Sequence, residues 1–367
     1  MNRLHFITAI PWNVREGSGC YVGLRTLVEA LRGLGTRVDV VTPKIAMPAY
    51  LATRLVFNES LRWRRFDGAA TIGVDADGYA ICRRRNSAPH IACIKGVLGD
   101  AVRFEHGAAR ASLAFQAKLE MRHARRADLV ITVSRYCAER LQELYGVGNV
   151  VVMPELIDLN GWRRLFRDNP APTEPGKFTV LSVCRFYPRK RLDVLLCAAR
   201  LLRQSIPDLE IRIAGDGPEY KRLQAICRNL DLGAAVRWIG NITISHLAED
   251  YNRCDVFCLP SAQEGFGIVF LEAMAAGKPI VAARAAAVPE VVRHGILVEP
   301  ENAEALADAI GGLHRDPDLR RSLGSAGLRD VEQFEMNRVA AKFLQEISKV
   351  APAFRPEEPH SRFSTAI

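Results

Sequence analysis

The sequence predicts two α/β domains, each built on a parallel sheet that helices cover on both faces. Its 367 residues exceed the size at which one hydrophobic core stops growing, so two domains are expected. Apolar runs at 4–10 and 37–42 flank a helical pattern at 20–34, which is typical of a parallel strand–helix–strand unit. The alternation restarts at 178–184, after a proline-rich stretch at 167–177.

The composition indicates a globular protein without a membrane span. Hydrophobic residues make up 49% and charged residues 25%, and no run of 18 uncharged apolar residues occurs. The first ten residues have too short an apolar core for a signal peptide and are predicted to be a strand. We therefore expect a cytoplasmic location, with contact at the inner face of the membrane as a further expectation.

The nine cysteines indicate buried thiols in a reducing compartment. They are scattered, without a Cys-x-x-Cys pair. Cys254 and Cys258 lie on one predicted strand, and no histidine follows them before His294. We expect no metal site there.

The positive charge is concentrated in the first half of the chain. Residues 1–157 contain 22 Lys and Arg against 14 Asp and Glu, so they carry +8 of the total of +9. The arginines form three clusters, at 62–65, 83–85 and 122–126. They fit anionic lipid headgroups or a phosphate-bearing acceptor, and equally a solvated surface. No nucleic-acid-binding motif accompanies them.

Glycines after the first strand raise the alternative of a dinucleotide-binding loop. Gly17, Gly19 and Gly23 form a weak match to that fingerprint, and Asp39 lies 20 residues beyond Gly19. Asp39 is in the middle of the second predicted strand instead of at its end, which argues against a dehydrogenase.

Residues 69–83 are predicted to form a hairpin around Asp75-Ala-Asp77-Gly78. An Asp-x-Asp sequence can also bind a metal ion. Because glycine follows it between two apolar runs, we interpret it as a turn.

The strand at 89–95 ends in Lys95, which can contact a phosphate or pair with Asp100 or Glu105. The first domain is predicted to continue with a long helix at 102–126 and to end at residue 165.

The second domain opens with a strand and a cationic turn. Arg185, Arg189, Lys190 and Arg191 follow the strand at 178–184, where parallel sheets bind ligands. Arginine grips phosphate oxygens bidentately and lysine adds a point charge, so a diphosphate is the expected partner.

The segment 261–279 carries two glutamates, Glu264 in a loop and Glu272 in a predicted helix from Phe266 to Gly277. The backbone N–H groups of Gly265, Phe266 and Gly267 begin this helix and favour an anion there. Glu272 lies about 7 Å further along the helix axis, a suitable distance for a ribose. The alternatives are that Glu272 faces solvent or pairs with an arginine.

Glu264-x7-Glu272, in the setting Gln-Glu-Gly-Phe-Gly and followed by Glu-Ala-Met-Ala-Ala-Gly-Lys-Pro, is similar to the signature of retaining glycosyltransferases of the GT-B fold, family four. The resemblance implies two Rossmann-like domains that face a central cleft. The acceptor domain is then 1–165, the linker 166–177 and the nucleotide-sugar domain 178–329. A helix at 330–350 returns to the first domain, and the tail at 351–367 is expected to be disordered.

The resemblance also implies roles for individual residues. Arg185, Lys190 and Glu264 are expected to be catalytic. The expected donor contacts are Glu272, Gly265, Phe266, Gly267, Gly17, Gly19, Gly215, Gly217 and Ile239. Lys95 occupies the place of the family's usual histidine, as a sugar or phosphate contact. No metal or cofactor is expected beside the nucleotide-diphosphate-sugar.

The predicted function is transfer of a sugar to a glycan or glycolipid acceptor, with retained configuration. A non-catalytic nucleotide-sugar-binding or docking subunit is the alternative, favoured by Lys95. Sugar epimerases of similar fold rank third, because they give no reason for this spacing of glutamates.

Overall fold

Two six-stranded parallel sheets organise the chain, and helices flank both. The structure is a computed structural model that describes residues 3–10, 19–45, 47–86, 88–171 and 176–352. It divides into one unit of Met1–Leu156 with Met336–Ile367 and a second unit of Ile157–Glu335. The predicted class of two Rossmann-like α/β domains is confirmed.

The first sheet has the strand order β2-β1-β3-β4-β5-β6, and all its pairings are parallel. Its strands are β1 (Arg3–Ile7), β2 (Arg37–Val41), β3 (Ala70–Val74), β4 (His90–Ile94), β5 (Leu129–Thr132) and β6 (Val150–Val152). The helices between them are α1 (Gly19–Gly33), α2 (Tyr50–Ser60), α3 (Leu98–Ala101), α4 (Gly107–Arg126) and α5 (Arg135–Tyr145). Every residue of β3 and β4 is buried, as expected for central strands covered on both faces.

The second sheet has the order β12-β11-β10-β7-β8-β9 and is also parallel. Its strands are β7 (Phe178–Val183), β8 (Leu209–Ala214), β9 (Val236–Gly240), β10 (Val256–Leu259), β11 (Ile280–Ala283) and β12 (Ile296–Val298). The helices of this unit are α6 (Leu159–Asp168), α7 (Leu192–Leu202), α8 (Tyr220–Asn229), α9 (Ile244–Arg253), α10 (Ile268–Ala275), α11 (Val288–Val291), α12 (Ala303–Arg315) and α13 (Pro317–Asp330).

The last helix, α14 (Met336–Val350), belongs to the first unit. Its buried residues Val339, Phe343 and Ile347 are spaced on one face of the helix and join the core beneath β1. The Phe343 ring stacks on Phe6, with centroids 6.2 Å apart. The first unit is therefore assembled from both ends of the described chain.

The boundary between the units lies earlier than the sequence predicted. The second unit begins at Ile157, whereas the first domain was expected to continue to residue 165. Helix α6 causes the difference: Trp162 contacts Tyr251 edge-to-face at 5.8 Å, and the Asn252 side chain donates to the Phe166 carbonyl. Residues 166–168 of the expected linker are therefore helical, and 172–175 lie outside the described residues.

The segment 330–350, which was expected to return to the first domain, begins and ends at other residues than predicted. Residues 330–335 belong to the second unit, so the change of unit comes at Met336. Ala351 was expected to be disordered, but it is buried and its N–H bonds to the Ile347 carbonyl at 2.9 Å. Residues 353–367 lie outside the described residues.

The predicted hairpin at 69–83 is wrong, although its turn is present. Strand β3 pairs in parallel with β1 and β4, and residues 75–80 form turns instead of a returning strand. Asp77 is completely buried, which an exposed hairpin turn would not require. It pairs with Arg54 of α2 at 3.0 Å and accepts from the Ala9 N–H at 2.6 Å.

The predicted long helix at 102–126 is interrupted. Val102–Phe104 is a 3₁₀ turn, and α4 starts only at Gly107, whose φ of +54° suits glycine.

Candidate active site

The candidate site is built from loops that leave the carboxyl ends of neighbouring strands. In the second sheet β7 lies between β10 and β8, and β8 is followed by β9. The loops after these strands therefore meet at one edge of the sheet, where open α/β sheets bind ligands. They contain the cationic turn, the glycine turn at 215–217 and the loop that carries Glu264.

An ion pair joins the cationic turn to the glutamate loop. Lys190 Nζ lies 2.5 Å from Glu264 Oε1, and the two side chains are 13% and 8% exposed. A backbone bond supports the contact, because the Ala262 N–H donates to the Arg189 carbonyl at 2.8 Å. The structure thus brings together two predicted residues that are 74 positions apart.

The helix that follows Glu264 starts later than predicted, at Ile268 instead of Phe266. Gly267 caps it with a φ of +88°, and an added Cβ there would lie 2.6 Å from the Phe270 ring. Phe266 is buried, and its ring packs edge-on against Phe334 at 5.6 Å. Its side chain therefore has a packing role, while the first turn of α10 supplies the N–H groups of the helix start.

Glu272 is buried inside α10 and has a tyrosine partner. The Tyr251 hydroxyl donates to Glu272 Oε2 at 2.9 Å. Burial raises the pKa of Glu272 to about 7, and the bond from Tyr251 lowers it only in part. The two alternatives considered from the sequence, a solvent-facing side chain and an arginine partner, do not describe it.

Gly215 and Gly217 lie against the backbone of the cationic turn. Gly215 has a φ of +120°, and an added Cβ would lie 1.9 Å from the Cys184 carbonyl oxygen. At Gly217 a Cβ would lie 2.6 Å from the Phe186 nitrogen. The Phe186 N–H donates to the Asp216 carbonyl at 3.0 Å. These glycines thus hold the turn that begins at Arg185, a role that the sequence did not reveal.

The segment expected near the nucleotide base is joined to the same glycine turn. Ile239 is half-buried in β9, one residue before Gly240. The Gly240 carbonyl accepts from the Gly215 N–H at 2.9 Å. Four neighbouring strands of one sheet therefore carry the predicted residues at or just beyond their carboxyl ends: Arg185, Lys190, Gly215, Gly217, Ile239, Glu264 and Gly267.

In the first unit, Lys95 has a partner that the sequence did not suggest. Its Nζ lies 2.9 Å from Glu155 Oε2, and the side chains are 7% and 6% exposed. The predicted partners Asp100 and Glu105 are wrong. Burial works to lower the pKa of Lys95, but the Glu155 carboxylate and other neighbouring groups together raise it above its ordinary value. Gly23 leaves room for the Glu155 carboxylate, because a Cβ at this position would lie 2.4 Å from Glu155 Oε2.

Of the two glycines predicted in the first loop, Gly19 begins α1 and Gly17 lies outside the described residues.

Asp75 is a half-buried residue that was interpreted only as a turn residue. It accepts from the Lys95 N–H at 2.8 Å and lies 3.5 Å from Cys20 Sγ. Burial raises its pKa to about 6, although the bond from Lys95 works in the other direction. Asp75, Lys95, Cys20 and Glu155 therefore form one polar cluster at the carboxyl end of the first sheet.

Family models match both halves of the chain. The model described as Glycosyltransferase Family 4 matches residues 18–160, and the model described as Glycosyl transferases group 1 matches residues 166–330.

Curated relatives match over part of their length. A GDP-mannose-dependent alpha-(1-6)-phosphatidylinositol monomannoside mannosyltransferase of Mycolicibacterium smegmatis is 31% identical over 222 residues, which are 55% of this chain and 56% of the relative. A D-inositol 3-phosphate glycosyltransferase of Rhodococcus erythropolis is 31% identical over 242 residues, 62% of this chain and 55% of the relative. The chain spans little more than half the length of these relatives.

Solved structures share the fold. Sucrose-phosphate synthase from Thermosynechococcus elongatus has a TM-score of 0.81 at 22% identity and covers 96% of this chain and 100% of its own. The Anabaena protein HepE, in a complex with UDP and glucose, has a TM-score of 0.71 at 19% identity and covers 95% of this chain and 99% of its own.

We predict that Gly215→Ala strongly destabilises the second unit. The substitution places a methyl group against the Cys184 carbonyl and requires a backbone conformation that alanine rarely adopts, at a cost on the order of 3 kcal/mol. Thermal unfolding measures the loss. The matched control is Gly233→Ala in the same unit, where no atom lies within 4 Å of the added Cβ. Equal melting temperatures for the two variants would contradict this packing.

We also predict that Glu272 makes the second unit less stable as pH rises. Burial raises the pKa of Glu272 from its ordinary 4.5 to about 7, so the folded state keeps a proton that the unfolded state releases. Stability is therefore lost as pH rises through this window, by a few kcal/mol at most. Glu272→Gln, a neutral side chain of the same shape, removes the dependence.

The measurement is the difference in unfolding free energy between wild type and Glu272→Gln, followed by hydrogen exchange in α9 and α10. In this difference the contributions of Asp75 and Glu120 to the pH dependence cancel, because both groups titrate in both proteins. A difference that does not change between pH 5 and pH 8 would refute the assignment.

Proposed function

Because the chain belongs to the group 1 glycosyltransferases with the GT-B fold, we propose that it transfers a sugar from a nucleotide-diphosphate-sugar to an acceptor, with retention of configuration and without a metal ion. The observation that carries the proposal is the Lys190–Glu264 pair beside the start of α10. This pair lies with the helix N–H groups at one end of the sheet. The cation and the N–H groups can bind a diphosphate, and the carboxylate can accept hydrogen bonds from a sugar.

Arg185 and Lys190 stabilise the leaving diphosphate. As the bond between the sugar and the phosphate breaks, negative charge builds up on the phosphate oxygens. Fixed cations and the N–H groups of α10 stabilise that charge more than they stabilise the ground state, which lowers the barrier. These groups can supply the neutralisation that a metal ion supplies in other enzymes.

Glu264 orients the sugar hydroxyls. Its carboxylate accepts from Lys190 through Oε1, which leaves further lone pairs for hydroxyl donors. The pairing also fixes the rotamer of a side chain that is almost buried. Lys190 and Glu264 thus act as a unit, since the same contact that orients the glutamate also places the lysine.

Glu272 binds the ribose. The burial that raises its pKa to about 7 also disfavours its charged form, and Tyr251 supplies only one donor. The two ribose hydroxyls would supply further donors and so stabilise the carboxylate. Gly265 and Gly267 bring the backbone close to the phosphates in this arrangement.

The acceptor is lipid-linked or carries a phosphate, and the product belongs to glycan or glycolipid biosynthesis. This proposal is supported by the relatives, whose names specify a phosphatidylinositol monomannoside and an inositol 3-phosphate. The basic first unit would then contact the membrane peripherally. None of the helices in the described part of the chain is long and apolar enough to cross a bilayer.

Lys95 favours a second candidate function, a nucleotide-sugar-binding subunit without catalysis. In the family a histidine usually reaches the sugar from this position, whereas Lys95 is buried and paired with Glu155. Release of sugar from a labelled donor separates the two candidates, because a binding subunit is stabilised by the donor in a thermal melt but leaves it intact.

The transfer proposal predicts that Lys190→Ala and Glu264→Ala each lower donor turnover by about 100-fold, because each removes a group that acts on the reacting sugar phosphate. The donor is chosen from a thermal-shift screen of UDP-, GDP- and ADP-sugars, and turnover is measured as sugar release or transfer. Lys221→Ala is the control, since Lys221 is exposed on α8 in the same unit. Near-normal turnover in both site variants would refute the assigned roles.

A further inference from the structure

A cavity of about 520 Å³ lies on the first unit, which does not contain Lys190 or Glu264. His90, which begins β4, lines it, whereas Lys95 follows the other end of that strand. The two positions are separated by roughly 16 Å of extended chain. His90 thus places part of the cavity at the amino end of β4, away from the Lys95–Glu155 pair.

Three separate parts of the chain supply arginines to this cavity, which we call the basic cavity. They are the segment after α2, the segment between β3 and β4, and the last turns of α4. The arginines that line it are Arg62, Arg83, Arg84, Arg85, Arg122 and Arg126. No aspartate or glutamate is among the described lining residues.

Neighbouring carboxylates neutralise only part of this charge. Glu59 pairs with Arg62 at 2.5 Å, and Asp128 pairs with Arg83 at 2.6 Å. For Arg84, Arg122 and Arg126, no carboxylate partner is present within the described ranges. The negative end of the α4 dipole accounts for cations in its last turn but not for Arg84, which belongs to another segment.

Other arginines of the same sequence clusters contact other groups and do not line the basic cavity. Arg125 donates to the Tyr145 carbonyl at 2.7 Å, and the Arg64 guanidinium lies over the Phe66 ring. Like charges held around one concavity repel each other, so such an arrangement favours a bound polyanion.

The rim also presents a flat aromatic surface. The Trp63 side chain is 72% exposed, and the Arg85 guanidinium stacks over its ring at 5.0 Å from the centroid. Stacking fixes the orientation of the planar guanidinium, so its edge donors remain available to phosphate oxygens.

The floor of the basic cavity is a rigid histidine pair. His123 Nδ1 lies 2.5 Å from the Asp75 carbonyl and must donate to it, so His123 Nε2 accepts from His90 Nε2 at 2.9 Å. His90 Nδ1 then accepts from the Thr71 hydroxyl. Both rings are therefore fixed as neutral tautomers, and the arginines surround a preformed floor.

We propose that the basic cavity binds a ligand that carries two or more phosphate charges, separately from the proposed donor site. The shared chemistry is a phosphate ester or a pyrophosphate, from either a lipid headgroup or a soluble metabolite. The proposal does not depend on the transfer reaction, because its residues lie in the other unit from Lys190 and Glu264.

The test is a titration of the full chain with inorganic pyrophosphate, followed by tryptophan emission. The part of the signal that disappears in Trp63→Phe reports on the basic cavity. The double variant Arg84→Gln/Arg122→Gln should weaken this binding at least tenfold, since both side chains are exposed and their loss leaves the fold intact. Arg110→Gln is the matched control, exposed on α4 but outside the cavity.

Unchanged affinity in the double variant would overturn the proposal, as would a Trp63 signal that disappears in Lys190→Ala. A second arm measures co-sedimentation with phosphatidylcholine vesicles that do or do not contain phosphatidic acid. Binding to the acidic vesicles that is lost in the double variant identifies a lipid headgroup as the source. Pyrophosphate binding without vesicle binding identifies a soluble ligand.

Discussion

The ion pair between Lys190 and Glu264 is the interaction on which the candidate site depends. It joins the loop after β7 to the loop after β10, two strands that are adjacent in the second sheet. Both side chains are almost buried, so neither charge would be tolerated without the other. The pair therefore places a cation and a carboxylate at fixed positions beside the start of α10, before any ligand arrives.

Backbone packing holds the cationic half of this arrangement. Gly215 and Gly217 allow the turn at Arg185 to lie directly on the loop after β8, where any side chain would collide with it. The turn is then fixed by backbone hydrogen bonds, including the one from Phe186 to Asp216. A site whose charged groups are held in this way does not have to reorganise when negative charge develops, which is what electrostatic catalysis requires.

The sequence was sufficient for the architecture, because buried parallel strands appear as short apolar runs that glycines and helical patterns separate. Glu264, Lys190 and the glycine turn follow such strands, so their place at one end of the sheet could be predicted, whereas their roles were implied by the family resemblance. The sequence could not identify contacts between distant polar residues. Lys95 pairs with Glu155, 60 positions away, and Glu272 meets Tyr251 on another helix. Nothing in local spacing specifies such partners.

Polar residues that turn inwards were the main source of error. Asp75 and Asp77 have the composition of an exposed turn. Yet Asp77 is fully buried against Arg54, and Asp75 is half-buried and accepts from the Lys95 backbone N–H. The end of helix α6 was assigned to a linker for a similar reason. Its charged residues make the sequence look polar, although one face of the helix is apolar around Trp162. In both cases tertiary contacts outweighed local composition.

The most direct test of the account is a crystal structure of the full chain with a nucleoside diphosphate bound. If the Lys190–Glu264 pair and α10 form the donor site, phosphate oxygens lie within hydrogen-bond distance of both Lys190 Nζ and the first-turn N–H groups of α10. Phosphates bound out of reach of either group would contradict that assignment.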